Sequence, residues 1–133
     1  MAEPTRGLLD TSVVIDHDVI DLGLLPDVSA IAAVTLAELA AGPHATRDGE
    51  ERARRQDRLQ WASATWSALA FDADAARAYG RVYAATRAAG RTARSRLADL
   101  LIAATAAANG LALYTRNPAD FDALEDILPV IGV

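Results

Sequence analysis

Short apolar runs alternate with helical patterns along the whole chain, and this alternation constrains the fold more than any other feature. The apolar runs are "RGLL" ahead of Asp10, "VSAIAAV", "LAF", "LALYT" and "ILPVIGV", and runs of this length are typical of buried strands. The longer segments between them have the apolar spacing of helices. Alternating strands and helices form βαβ units, in which helices cover both faces of a parallel sheet. The sequence therefore predicts an α/β fold, a three-layer α/β/α domain with a short, mainly parallel sheet of about five strands.

Capping residues predict where the helices begin. Thr11 or Ser12 is expected to cap a short helix, Thr35 the helix "TLAELAAG", and Asp72 a later one. The last two predicted helices end at a glycine, as helix C-termini often do. The predicted helices span residues 13–15, 35–41, 48–69, 72–90 and 97–109.

Composition limits the class of protein. The chain has 133 residues, enough for one compact domain and too few for two, so residues 1–133 are expected to form a single domain. No apolar run reaches the roughly 18 residues that cross a bilayer, and the N-terminus has no signal-peptide pattern. We therefore expect a soluble cytoplasmic protein that does not bind membranes.

Residue usage excludes several kinds of site. The chain has no cysteine, which removes disulfides, thiolate zinc sites and cysteine nucleophiles. His17 and His44 have neither the spacing nor the partners of a zinc or nucleophile site and are expected at the surface. The net charge of −5 argues against coating of nucleic acid by bulk electrostatics. All 13 basic residues are arginine, whose planar fork suits phosphate or carboxylate, although a GC-rich genome also explains this usage.

Acidic side chains fall where a parallel sheet gathers its functional groups. Asp10 ends the first strand, Glu38 lies one turn into a helix, Asp99 lies in the first turn of another, and Asp120 follows the strand that ends at Thr115. Sites in open α/β sheets form outside the carboxyl ends of the strands. The sequence thus predicts that these acids meet at one edge of the sheet.

Asp99 has the greatest need of a compensating partner among these acids, because it lies on the core-facing stripe of the helix "LADLLIAATAAANG", in line with Ile102 and Ala106. Carboxylates gathered in one pocket repel one another, and some stay protonated unless a cation neutralises them. Oxygen ligands without cysteine or a histidine pair select a hard divalent ion, Mg²⁺ or Mn²⁺. We predict that such an ion meets Asp99.

Each residue also has a simpler explanation when it is considered alone. Asp10 could only cap the following helix, Asp99 could pair with Arg96, and Glu38 could be solvated. Capping or turn formation is the alternative for Ser12, Asn117 and Asp120.

The stretches "LLDTSVVI", "AVTLAELAAG", "LADLLIAATAAANGLALYTRNPADF" and "ILPVI" together resemble the PIN-domain family, especially the VapC and FitB-type toxins of bacterial toxin–antitoxin pairs. The likeness runs in order over nearly the whole chain, although residues 44–94 match only in helical character. It implies a PIN-like fold and a Mg²⁺-dependent endoribonuclease, with Mn²⁺ as a substitute. It also implies a homodimer and a VapB-type antitoxin whose tail blocks the site.

The resemblance assigns four acidic positions as catalytic residues and metal ligands: Asp10, Glu38, Asp99 and Asp120. Asp120 is preferred as the fourth acid because Asn117, where many relatives have Asp or Asn, is neutral and becomes a hydrogen-bonding neighbour. Ser12 and Thr115 match hydroxyl positions that line the site. One or two metal ions would activate water for in-line attack on RNA, leaving a 5′-phosphate and a 3′-hydroxyl.

The substrate would be held by positive charge near these acids. Arg94, Arg96 and Arg116 flank them and are candidates for phosphate contacts, with exposed ion pairs as the alternative. Aromatic residues are only 5% of the chain, which predicts recognition by RNA shape and backbone rather than by base stacking. Trp61 either faces a groove for a partner helix or packs within its own subunit.

Other classes fit the sequence less well. A haloacid-dehalogenase-type phosphatase needs a second acid at the position of Ser12 and a lysine, and a response-regulator receiver needs the same missing lysine. There is no glycine-rich phosphate loop. The remaining alternative is a PIN-like binding or regulatory domain without catalytic activity.

Overall fold

The computed structural model describes residues 3–133. Its strands are β1 (Arg6–Leu9), β2 (Val28–Ala32), β3 (Ala68–Leu69), β4 (Ala112–Thr115) and β5 (Val130–Gly132). Its α-helices are α1 (Thr11–Ile15), α2 (Ala33–Ala41), α3 (Gly49–Thr65), α4 (Ala73–Ala88) and α5 (Leu97–Ala108). Short 3₁₀ helices occupy His17–Val19, Leu22–Leu24, Gly42–Ala45, Arg94–Arg96 and Pro118–Leu124.

The sheet has the order β3-β2-β1-β4-β5, and every neighbouring pair is parallel. The chain therefore builds outward from β1 to β3 and then returns to add β4 on the other side of β1. Leu9 of β1 lies opposite Tyr114 of β4. Because the direction of winding reverses between these two strands, a crevice opens at their carboxyl ends, where ligands of such sheets bind.

Each face of the sheet has its own hydrophobic core. Leu8 and Leu113 point to the face covered by α4 and α5, and both are fully buried. Their neighbours Leu9 and Tyr114 point to the opposite face, which α1, α2 and α3 cover. This alternation follows from the two-residue period of a strand. The three-layer α/β/α prediction and the parallel sheet are confirmed.

The predicted helix ends are partly correct. The Asp72 carboxylate caps α4 by accepting a hydrogen bond from Ala75 N at 3.0 Å. Gly90 and Gly110 follow α4 and α5 with φ of 75° and 65°, the left-handed conformation that glycine adopts without strain. The predicted caps of α1 and α2 are wrong. Their cap positions are Asp10 and Ala32, and neither makes a side-chain capping bond.

Helix α3 ends at Thr65, earlier than predicted, because Trp66 has extended backbone that leads into β3. Trp66 packs edge-on against Trp61, with ring centroids 4.8 Å apart. His17 contacts both rings and is half-buried, whereas His44 is exposed as predicted. Trp61 thus packs within its own subunit although 38% of its surface remains exposed. Within residues 3–133, no helix is both long and apolar enough to cross a membrane.

Candidate active site

Asp10 is buried in the crevice between β1 and β4, with 4% of its surface exposed. Its backbone N–H donates to Tyr114 O at 2.9 Å, which continues the β1–β4 pairing. Its Oδ2 atom accepts hydrogen bonds from Thr115 Oγ1 at 2.7 Å and from Ser12 Oγ at 3.0 Å. Hydrogen bonds to an ionised carboxylate are short and strong. Two hydroxyls therefore fix the orientation of this carboxylate, and both of them donate to Oδ2 rather than Oδ1.

The same two hydroxyls tie the segment after β4 to the start of α1. Ser12 Oγ accepts from Arg116 N at 3.2 Å, and Thr115 Oγ1 accepts from Asn117 N at 3.1 Å. Ser12 and Thr115 thus lie where the sequence placed them, beside the first acid. Asn117 takes part in this network through its backbone N–H, and Asn117 itself is exposed.

Glu38 approaches the site from α2 and is held by Thr11, which in turn contacts Thr35; sequence reasoning used both threonines only as helix caps. Thr11 Oγ1 donates to Glu38 Oε1 at 2.7 Å and lies 2.9 Å from Thr35 Oγ1. Thr35 is completely buried. A sequence signal existed, because Thr35 lies three residues before Glu38, on the same face of one helix.

Asp99 lies half-buried in the first turn of α5. Burial raises the pKa of its carboxyl, and the negative charges of Asp10, Glu38 and Asp120 raise this pKa further, opposed by Arg96. Within residues 3–133 its carboxylate accepts no hydrogen bond. The other three predicted acids therefore lie within electrostatic reach of Asp99, and Arg96 only partly offsets their effect on it.

Asp120 is an exposed residue of the 3₁₀ helix that follows β4. Its backbone N–H donates to Asn117 O at 3.0 Å, and its carbonyl accepts from Arg96 Nη2 and, at 3.4 Å, from Arg91 Nη1. The Arg96 guanidinium also lies 5.5 Å from the centre of the buried Phe121 ring. Arg96 thus holds the backbone of the segment that carries the fourth acid, and Arg91 is a second such contact that sequence reasoning missed.

The other two predicted phosphate contacts differ in their surroundings. Arg116 donates from Nε to Asp16 Oδ2 at 3.2 Å and from Nη1 to Val133 O at 3.0 Å. The ion-pair alternative for Arg116 is therefore what the structure shows. Arg94 is exposed and lines a groove beside the site.

The donor set fits a hard divalent cation. The site offers carboxylate oxygens, among them the Oδ1 atom of Asp10 and the carboxylate of Asp99, and Mg²⁺ and Mn²⁺ both take oxygen ligands. Within residues 3–133, no three Asp, Glu or His side chains are already arranged as a metal-binding group. Mutual repulsion of like charges opposes such an arrangement until a cation enters. The chemistry of the donors does not distinguish the two ions.

Comparisons with known proteins confirm the family resemblance. The model of the family described as PIN domain matches residues 7–126. Ribonuclease VapC5 of Mycobacterium tuberculosis is 40% identical over 125 residues, which cover 92% of this chain and 90% of that protein. VapC ribonuclease Y4jK of Sinorhizobium fredii is 34% identical over 125 residues, which cover 92% of this chain and 81% of that protein.

A solved structure agrees with these matches. The crystal structure of VapBC-5 from Mycobacterium tuberculosis, a member of the VapBC family of toxin–antitoxin systems, contains a chain that is 39% identical. The two chains superpose with a TM-score of 0.86, over 98% of this chain and 100% of the other.

Proposed function

Because the chain belongs to the PIN domain family, we propose that it is a metal-dependent endoribonuclease of the VapC type and the toxin of a toxin–antitoxin pair. The names of its relatives support the ribonuclease activity, and the VapBC-5 complex supports a VapB-type antitoxin as partner. A homodimer is part of the same proposal.

One observation carries the proposal. The half-buried Asp99 has a raised pKa, to which the negative charges of Asp10, Glu38 and Asp120 contribute, and its carboxylate accepts no hydrogen bond within residues 3–133. Such an arrangement is unfavourable for folding without a cation. A structural role for Asp99 would place a hydrogen-bond donor on its carboxylate instead.

We propose that Asp10, Glu38, Asp99 and Asp120 bind Mg²⁺, for which Mn²⁺ can substitute. The bound cation would supply Lewis-acid stabilisation of the phosphodiester and would lower the pKa of the attacking water. Ser12 and Thr115 orient the Asp10 carboxylate.

The segment around the site would orient the RNA backbone. Thr11 orients Glu38, and Arg96 holds the segment that carries Asp120. We propose that Arg94 contacts phosphates of the RNA, and that Arg116 and Asn117 keep the strand end in place beside it.

The antitoxin would bind the apolar surface around α1. Ile15, Val19, Leu22 and Trp61 are exposed there. Ile15 and Trp61 line a cavity of about 410 Å³ between α1 and α3, whose other lining residues include the charged Asp18, Arg54, Asp57 and Arg58. Exposed apolar surface of this kind is typical of an interface with another protein chain.

A cleavage assay tests the catalytic proposal. The purified chain is incubated with labelled single-stranded and structured RNA in Mg²⁺, in Mn²⁺ and in EDTA. We expect cleavage with either metal, none in EDTA, and none by Asp99→Asn. Asp74→Asn is the matched control, because Asp74 also lies in the first turn of a helix but is exposed and pairs with Arg77.

Two outcomes would contradict the proposal. Cleavage by Asp99→Asn at the wild-type rate would remove Asp99 from the site. A wild-type chain that binds RNA but cuts none of it in either metal would instead support the non-catalytic PIN-like domain.

A further inference from the structure

A groove beside the acidic site is lined by tyrosine and arginine side chains, of which the proposed function uses only Arg94 to contact RNA. It has a volume of about 710 Å³ and lies between the end of α4 and the start of α5. We call it the tyrosine–arginine groove. Its principal lining side chains are Tyr79, Tyr83, Arg87, Arg91, Arg94 and Leu97.

The groove is basic in an acidic protein. Three arginines line it, and no Asp or Glu is among its lining residues, whereas the whole chain has a net charge of −5. Arg87 and Arg94 are exposed. Arg91 is paired with Asp122 at 2.6 Å and also donates to Ala119 O at 3.1 Å. The guanidinium groups of Arg87 and Arg94 are therefore available to an anionic ligand, whereas Arg91 is fixed in the side of the groove by its own contacts.

The tyrosines give the groove an aromatic surface. Tyr79 and Tyr83 lie one turn apart on α4, with ring centroids 6.1 Å apart and an angle of 44° between the rings. Tyr83 is 40% exposed. Arg87, one turn further on, donates to Tyr83 Oη at 3.2 Å, and its guanidinium lies 6.0 Å from the ring centre. Exposed aromatic rings next to arginines bind bases by stacking and phosphates by charge.

The groove adjoins the acidic site through two shared segments. Leu97 begins α5 and lines the groove, and Asp99 follows two residues later. Arg91 extends from the groove to the carbonyls of the 3₁₀ helix that carries Asp120. A chain of nucleotides that leaves the acidic site over these segments enters the groove directly.

We propose that the tyrosine–arginine groove binds the single-stranded RNA next to the cleaved bond, with Arg87 and Arg94 on phosphates and a base stacked on Tyr83. This inference rests on the proposed ribonuclease function and names how that site holds its substrate. It replaces recognition by backbone alone, which the low aromatic content predicted, with recognition that includes one stacked base.

Binding is measured without cleavage, so that this proposal and the proposed activity can fail independently. The full chain carrying Asp99→Asn is titrated in EDTA with a fluorescein-labelled single-stranded RNA of about 12 nucleotides. A second RNA of equal length has abasic ribose at every position. Fluorescence anisotropy gives the affinity for each RNA over a series of salt concentrations.

We expect Tyr83→Ala to weaken binding of the base-bearing RNA about tenfold and to leave binding of the abasic RNA unchanged. Tyr83→Phe should restore the affinity, because the ring is kept. Arg87→Gln should weaken both RNAs and reduce the slope of log affinity against log salt by about 0.7, the value for one lost phosphate contact on a single strand. Circular dichroism and a melting curve show that each variant is folded.

Arg81→Gln is the matched control, because Arg81 is an exposed arginine of the same helix that does not line the groove. Equal losses from Arg81→Gln and Arg87→Gln would mean that binding follows bulk charge, and the proposal would be wrong. Equal affinity of the Asp99→Asn chain, with no change in the groove, for base-bearing and abasic RNA would exclude stacking. A dimer that dissociates on Arg87→Gln with no change in RNA affinity would assign the groove to a second copy of this chain and also overturn the proposal.

Discussion

Replacement of Thr115 by valine tests how strongly the hydroxyl groups bind the Asp10 carboxylate. The Thr115 side chain is completely buried, and its Oγ1 atom donates to Asp10 Oδ2 at 2.7 Å while it accepts from Asn117 N at 3.1 Å. Valine keeps the volume and shape of threonine and removes both hydrogen bonds. The change therefore isolates the hydroxyl from the packing.

The expected loss of stability follows from these two bonds. A hydrogen bond to a charged group contributes about 1.5–3 kcal/mol, and a buried N–H left without a partner adds to the cost. Part of this cost is relieved by Ser12, which still donates to the same oxygen. We expect a loss of about 2–3 kcal/mol in the free energy of unfolding, which for a chain of this size lowers Tm by roughly 8–12 °C.

Thermal and urea denaturation in EDTA measure this loss, with Thr86→Val as the matched control. Thr86 is equally buried, but its hydroxyl donates to Val82 O in the preceding turn of its own helix, at 2.8 Å. Loss of such a local neutral bond costs about 1 kcal/mol or less. In an Asp10→Asn background, the effect of Thr115→Val should shrink to about the same value. The reasoning is refuted if Thr115→Val costs no more than Thr86→Val, or costs the same whether residue 10 is charged or neutral.

Three further predictions concern single positions. Because burial raises the pKa of Asp99, its ionisation destabilises the metal-free fold above that raised pKa and has no effect below the pKa of an unfolded aspartate. Asp99→Asn should therefore raise Tm in EDTA at neutral pH but not at about pH 3. An equal gain in Tm at both pH values would contradict this. Gly7→Ala should cost about 1–3 kcal/mol in urea denaturation, because its Cβ would lie 2.3 Å from the Tyr114 ring; unchanged stability would show that the ring moves aside freely. Thr11→Val should lower the cleavage rate about tenfold and raise the Mg²⁺ concentration that cleavage requires, since Glu38 loses its donor; a wild-type Mg²⁺ dependence would mean that Thr11 has no positioning role.

The fold could be predicted because its signals are local. Strand and helix periods are read within a few residues, and Asp72, Gly90 and Gly110 mark helix ends through their own backbone or side-chain chemistry. The caps predicted at Thr11 and Thr35 failed for a different reason. Their hydroxyls bond to each other across 24 positions of the sequence, and Thr11 also bonds to Glu38. These hydroxyls make tertiary hydrogen bonds in place of local caps, and the pattern within one helix does not specify the contact between α1 and α2.

The site could be predicted only as a set of acids at strand ends. The strand order brings Asp10 beside Thr115, which is 105 positions away, and sequence spacing alone does not specify that pairing. The tyrosine–arginine groove was missed although part of its signal was present. Tyr79, Tyr83 and Arg87 follow one another at intervals of four, so they share one face of α4. The aromatic content of 5% is an average over the whole chain and does not show that two tyrosines lie together on one face of α4.

The groove and the acidic site have opposite effects on RNA, and this opposition yields a last prediction. Without a cation, the charges of Asp10, Glu38, Asp99 and Asp120 repel the phosphates of an RNA that the neighbouring arginines attract. Removal of one negative charge by Asp99→Asn should therefore increase the affinity for single-stranded RNA in EDTA, and the gain should shrink as salt screens the repulsion. Asp74→Asn removes the same charge from an exposed helix turn, where Asp74 pairs with Arg77, and should change the affinity little. Titration of both variants and the wild-type chain by fluorescence anisotropy measures the difference. Equal affinities for all three would mean that the RNA does not approach the carboxylates, and the acidic crevice would then not be where RNA is cut.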